Sequence, residues 1–168
     1  MRGDLVPAAT NGVDLGGDVL EVGPGFGPAT DALVEQVPRV TALEIDPLLA
    51  RPLRERLGHR VDVREGDATD LPFADNTFSG AVCFTMLHHV PTPELQDRLF
   101  SEVRRVLRPG GVFAGTDSTG RGIGFALLHI GDTKTVVDPA ALPGRFQAAG
   151  FESARVDWGA DALRFRAS

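Results

Sequence analysis

Residues 18–29, DVLEVGPGFGPA, constrain the fold more than any other stretch of the chain. Val19, Leu20 and Val22 read as a buried strand that passes an acid, Glu21, and stops in Gly23, Gly25 and Gly27. Pro28 then sits where a first helical residue belongs, because its missing N–H costs nothing there and its fixed φ suits the helix. Glycine is required where a backbone takes positive φ or approaches a ligand closely. A dinucleotide fingerprint, G-x-G-x-x-G, needs its third glycine at position 28, where this chain has proline. The spacing present is G-x-G-x-G, which argues against a pyrophosphate cradle.

The rest of the composition narrows the class. At 168 residues the chain suits one domain with a substantial core. Seventeen basic against 23 acidic residues give a formal net charge of −6, which opposes a nucleic-acid backbone as the main partner. The single cysteine, Cys83, lies in an apolar run and reads as a small buried hydrophobe. No basic-then-apolar leader and no apolar run of membrane-spanning length is present, so a reduced, cytoplasmic protein without a membrane span is expected.

Strand and helix patterns alternate after the glycine loop. Ala29, Leu33, Val34 and Val37 recur at helical spacing up to Pro38, and Arg39–Ile45 reads as a second strand ending in Glu44. Asp46-Pro47 reads as cap and first residue of a helix carrying Leu48, Leu49, Leu53 and Leu57, with Pro52 inside it. Val61–Glu65 and Gly80–Phe84 are further strands. Between them, 70–78 is loop-like and anchored by two phenylalanines. Thr92-Pro93-Glu94 starts a helix with Leu95, Leu99, Val103 and Val106 on one face. Arg104, Arg105 and Arg108 near its end read as a solvated face. Pro109-Gly110-Gly111 breaks it before a fifth strand, Val112–Thr116.

The alternation implies a parallel sheet. Residues 117–137 exceed what a βα loop needs and contain FALLHI, a candidate short helix. Asp138-Pro139 restarts a helix reaching Gly150. Two final strands, Glu152–Trp158 and Asp161–Arg166, are so close that they must form a hairpin.

Four stretches together resemble the class I S-adenosylmethionine-dependent methyltransferases, and within them the small-molecule "type 11" branch. They are LEVGPGFG, ALEID, EGDATDLPFADNTFSGAV and LRPGG, in that order from residue 18 to about 116, with the PF-x-D-x-x-F and L-H-H stretches of that branch. The resemblance implies an α/β fold over 1–168: a doubly wound, mostly parallel seven-stranded sheet of order 3-2-1-4-5-7-6. Its last strand is antiparallel, helices cover both faces, and 1–17 is a short lead-in. It implies S-adenosylmethionine as cofactor and a small-molecule acceptor, with oligomeric state open.

Site residues carry over by position. Gly23, Gly25 and Gly27 approach the methionine part of the cofactor, with Glu21 steadying the loop through the cofactor's ammonium. Glu44 accepts from the ribose hydroxyls, while Asp46 reads as a cap. Asp67 and the Ala68 amide meet the adenine, and Phe84 and Thr85 lie beside the sulfonium. Asp67 also suits a plain turn after Gly66. His88 and His89 are candidates for a general base, or for packing at a helix start. His129 is a candidate for lining the acceptor pocket. No His, Cys and acid cluster has metal-ligand spacing.

Related enzymes carry a longer segment ahead of the loop, whereas seventeen residues precede Asp18, and the chain has no tyrosine. The cover is therefore expected from 117–137, from a partner subunit, or not at all. Two other readings stay open: a non-catalytic binding domain of this fold, and a nicotinamide-dependent oxidoreductase, which Pro28 and the missing tyrosine disfavour.

Overall fold

A computed structural model describes residues 10–120 and 135–168. Seven strands form one sheet in the order β3-β2-β1-β4-β5-β7-β6. They are β1 (Asp18–Val22), β2 (Arg39–Glu44), β3 (Val61–Glu65), β4 (Phe78–Phe84), β5 (Leu107–Ser118), β6 (Ala154–Trp158) and β7 (Ala162–Ala167). The first five pair in parallel; β7 runs antiparallel to both β5 and β6. The order reverses between β1 and β4, and the exits of those strands open a crevice at the carboxyl edge.

Side-chain alternation assigns each face its helices. Leu20 and Val22 of β1, with Ala81 and Cys83 of β4, pack with Phe113 under α3 (Pro93–Val106) and α4 (Leu142–Ala148). On the other face Val19, Val40, Ala42 and Val82 pack under α1 (Pro28–Leu33) and α2 (Pro47–Leu57). The first core is aromatic: Phe113 meets Phe165 edge-on at 4.9 Å, and Phe100 lies 4.7 Å from Phe146. Cys83 is fully buried in it.

Caps begin two helices as their sequence requires. Asp46 Oδ1 accepts from Leu48 N at 2.8 Å, and Thr92 Oγ1 accepts from Leu95 N at 3.3 Å, each followed by proline at the first helical position. Pro52 stands inside α2.

Four expectations need correction. The helix after the glycine loop stops at Leu33, and single turns carry the chain to Val37. Pro109-Gly110-Gly111 does not separate helix from strand: α3 passes straight into β5 at Leu107, and the triplet makes a register shift opposite Phe78–Gly80. A side chain at 111 would press on the carbonyls of Arg108 at 2.9 Å and Ser79 at 3.0 Å, so the bulge needs glycine there. The last helix begins at Leu142, because residues 138–141 form a turn in which Asp138 Oδ1 accepts from Ala140 N.

The fourth concerns Arg104, Arg105 and Arg108, which are only in part a solvated face: Arg108 is exposed, while Arg104 and Arg105 are half-buried. They donate to the carbonyls of Gly150, of Leu71 and Phe73, and of Thr77 respectively. Arg105 also pairs with Glu102 and Asp75, and these acids raise its pKa. Helical periodicity reports a polar face; it does not report which loops fold back onto it.

Candidate cofactor site

Five strand exits are laced together at the carboxyl edge. Gly23 N donates to Leu43 O at 2.9 Å, and Gly66 N donates to Glu44 O at 3.0 Å, so the exits of β1, β2 and β3 lie side by side. Thr85 N donates to Thr116 O at 2.8 Å, joining β4 to β5. Met86 lies against Gly23 and links the two groups. Glu44 and Asp67, separated by 23 positions, therefore meet on one edge.

Within the glycine loop each residue has a distinct environment. Gly23 has φ +65°, and a side chain there would collide with Met86 Cγ. Gly25 has φ +58°, and a Cβ added to it would meet nothing within 4 Å. Gly27, at φ +81°, caps α1 from the backbone. The loop thus presents bare backbone to the crevice at Gly25 while its other two glycines face protein.

Glu44 holds that loop from the neighbouring strand. Its carboxylate is buried; Oε2 accepts from Gly25 N at 2.9 Å and Oε1 from Asp46 N at 3.0 Å. Each oxygen keeps a second lone pair for a ligand hydroxyl. Asp67 is exposed; its Oδ1 accepts from both the amide and the hydroxyl of Thr69 at 2.8 Å, the turn geometry allowed for it in the sequence. Ala68 packs against the first core. Phe26 and Ile45, flanking Gly25 and Glu44 in sequence, are 74% and 66% exposed, so apolar surface borders the same edge.

Glu21 lies beneath the loop at 1% exposure, on the face turned to α1. Burial pushes its carboxyl up to about 7; the Thr30 hydroxyl pulls the other way, and Asp31 and Glu44 add to the rise. Among the described residues no well-formed hydrogen bond reaches Glu21 Oε2 or Thr30 Oγ1, so the pull of the Thr30 hydroxyl is weak and desolvation dominates.

At the β4 exit, Phe84 is buried beneath α1 and α2, and Thr85 is exposed with φ +52°. Positive φ in a β-branched residue is a strained conformation of the kind found at ligand sites. The chain then makes a 3₁₀ turn, Leu87–His89. His88 is 3% exposed; its N–H donates to Asp117 Oδ2 at 3.0 Å, and its Nδ1 meets Asp117 Oδ1. His89 is exposed, its ring centroid 4.2 Å from that of His88. Gln96 of α3, fully buried, holds the turn by donating to Leu87 O and Thr135 O. Asp117 and Gln96 were not legible as site-building residues, because their partners are distant in sequence. His129, residues 1–9 and the FALLHI piece lie outside the described residues. Among the described residues no His, Cys and acid group could hold a metal ion, and no helix is long and apolar enough to cross a membrane.

These residues fit an adenosyl amino acid: open backbone at Gly25, a carboxylate with spare acceptor capacity at Glu44, a buried acid at Glu21, and an apolar rim. The comparisons agree with the geometry. A "Methyltransferase domain" family model, type 11, matches residues 20–115. A Mycolicibacterium smegmatis protein named "Probable S-adenosylmethionine-dependent methyltransferase" is 34% identical over 82% of this chain and 52% of its own. An ornithine lipid N-methyltransferase of Singulisphaera acidiphila is 39% identical over 56% of this chain and 54% of its own. Ribosomal RNA small subunit methyltransferase A of Cupriavidus taiwanensis is 48% identical over 34% of this chain and 21% of its own. The chain thus spans about half the length, or less, of these relatives. The DhpI–SAH complex superposes with a TM-score of 0.78 at 26% identity, covering 96% of this chain and 82% of that one. With more than half of the chain inside the family model, on the sheet order and glycine loop described above, it belongs to the class I S-adenosylmethionine-dependent methyltransferases, type 11 branch.

Proposed function

We propose that this chain moves the methyl group of S-adenosylmethionine to a small-molecule acceptor by in-line displacement. The observation that carries the reading is the loop at 23–27, held by Glu44 with Gly25 open to the crevice at the point where strand order reverses. When bound, that cofactor supplies a methyl group on a positively charged sulfur, already activated toward a nucleophile.

The chain's own contribution is to bind, orient and exclude water. The loop of Gly23, Gly25 and Gly27 lies along the methionine portion, with Gly25 giving the open backbone and Gly23 and Gly27 fixing its shape, and Glu21 faces the ammonium. Glu44 takes the ribose hydroxyls. Asp67 and the Ala68 amide take the adenine edge. Phe84 and Thr85 border the sulfur. Where the acceptor carries a proton that must leave, His88 and His89 are the proposed bases, and Asp117 holds the His88 ring through Nδ1. His129 stays the proposed contact for the acceptor, and the buried thiol of Cys83 suits a reduced, cytoplasmic setting.

Net charge alone gave the expectation against nucleic acid, and the ribosomal RNA methyltransferases among the relatives remove its force. What favours a small acceptor is that Arg54, Arg56, Arg105 and Arg108 are each engaged by a carboxylate and a carbonyl, leaving them poorly placed to follow a phosphate backbone.

Calorimetric titration with S-adenosylmethionine, S-adenosylhomocysteine and NAD tests the cofactor. Transfer of a radiolabelled methyl group to small amines, phenols, thiols, lipids and ribosomal RNA tests the reaction. Binding of the adenosyl ligands with transfer to a small molecule is expected. Transfer only to RNA would overturn the acceptor class, binding with no transfer to any acceptor would favour a binding domain, and NAD binding alone would overturn the whole reading.

A further inference from the structure

Glu21 and Glu44 form an acidic pair around the base of the glycine loop, and neither has a basic side-chain partner among the described residues. Glu44 is satisfied by two backbone N–H groups. Glu21 is not: it is 1% exposed, no well-formed hydrogen bond reaches its Oε2, and the nearby Thr30 hydroxyl offsets only part of the cost of burial. The other titratable groups acting on it are acids, none of which can neutralise a carboxylate. Asp31 on α1 is held by Arg56 of α2, Glu44 lies on β2, and Cys83 on β4 is pushed up by burial, by Asp117 and by Glu21 itself. An ionised carboxylate in such a place is costly until a cation arrives.

We infer that cofactor loading is linked to a proton through Glu21: the free chain holds this carboxyl protonated, and the ammonium of the incoming amino acid portion drives it to ionise, releasing one proton to solvent. The inference rests on the cofactor reading above and adds to it a direction and a pH dependence. Burial places the free group's midpoint near pH 7, inside the working range. No bond forms or breaks beyond the O–H of Glu21, and the resulting carboxylate is neutralised in place by the ligand's ammonium.

The sign follows from the charge. Below the midpoint, binding must first expel the proton, so affinity falls as pH falls; well above it, affinity levels off. Full coupling gives about eightfold tighter binding at pH 7.5 than at pH 6, with about half a proton released per ligand at pH 7. S-adenosylmethionine and S-adenosylhomocysteine share the ammonium and must share this slope. 5′-Methylthioadenosine has no amino acid portion and must lack it.

The experiment is calorimetry of the intact chain with S-adenosylhomocysteine and 5′-methylthioadenosine at pH 6, 6.5, 7 and 7.5, in buffers of different ionisation enthalpy. Wild type is expected to release protons with the first ligand and not with the second, and Glu21→Gln to bind the first with a flat pH profile. The wild-type proton count stands without the variant, should the substitution impair folding. A flat wild-type profile, equal slopes for both ligands, or an unchanged slope in Glu21→Gln would overturn the linkage while leaving the cofactor reading intact. No binding of either ligand at any pH would overturn that reading as well.

Discussion

Met86 stands against the bare Cα of Gly23, so the β4 exit and the glycine loop support one another across the topological switch point. A methyl group at 23 meets both this contact and a positive φ. Gly23→Ala is therefore expected to destabilise the chain by about 2 kcal/mol, the left-handed penalty of roughly 1–2 kcal/mol plus displacement of Met86. Urea denaturation of Gly23→Ala with and without Met86→Ala checks this, because the second change relieves only the steric part.

Gly25 takes nearly the same φ with open space beyond it. Gly25→Ala is expected to cost only the backbone penalty, again roughly 1–2 kcal/mol, yet to weaken S-adenosylhomocysteine binding more than Gly23→Ala does. Melting and calorimetry on the two variants decide the matter; equal binding losses would move the ligand away from Gly25.

Glu44→Ala and Asp67→Ala are each expected to weaken cofactor binding by roughly 1–3 kcal/mol, the loss of a charged hydrogen bond. Glu44→Ala also frees Gly25 N, so its effect should be the larger. Asp67→Asn keeps an acceptor for Thr69 and separates turn-making from ligand contact. Unchanged affinity in both alanine variants, measured calorimetrically, would remove these residues from the site.

Glu21 makes stability fall as pH rises. Its folded-state value of about 7 exceeds the ordinary 4.5, so the unfolded chain loses this proton first. The contribution is complete below about pH 4.5, declines through about pH 7 and is then exhausted, a change of about 3 kcal/mol. Ligand-free urea midpoints at pH 5, 6, 7 and 8 should descend and level off in wild type, and Glu21→Gln should lack this component.

Asp117 accepts from His88 N, His88 Nδ1 and Ser118 N while almost wholly buried. Asp117→Ala leaves those donors without this acceptor, at roughly 1–3 kcal/mol for each buried group left unmet. Thermal denaturation should reveal a marginal protein. Asp117→Asn retains an acceptor and should recover much of the loss.

What the sequence made legible was local. Val61–Glu65 reads as a strand from alternation, Asp46-Pro47 as a cap from chemistry confined to three residues, and the glycine loop from its spacing. What escaped depends on partners distant along the chain. Nothing near Asp117 announces His88, 29 positions away, and nothing near Glu44 announces the amide of Gly25. Likewise Pro109-Gly110-Gly111 carries the ordinary signal of a helix stop; only its pairing with β4, far back along the chain, makes it a register shift inside a strand. Glu21 stood out as an acid in a strand, but its isolation required the burial of everything around it.

Arg105 fastens the segment after Asp67 to α3 through the carbonyls of Leu71 and Phe73, and Arg98 adds a second hold at Thr69 O. The proposed adenine contacts are thereby moored to α3, with one guanidinium as the main rivet. Damage there would slacken the grip on the nucleobase while the sheet melts almost as before. Inherited or engineered changes at 105 would then masquerade as active-site lesions.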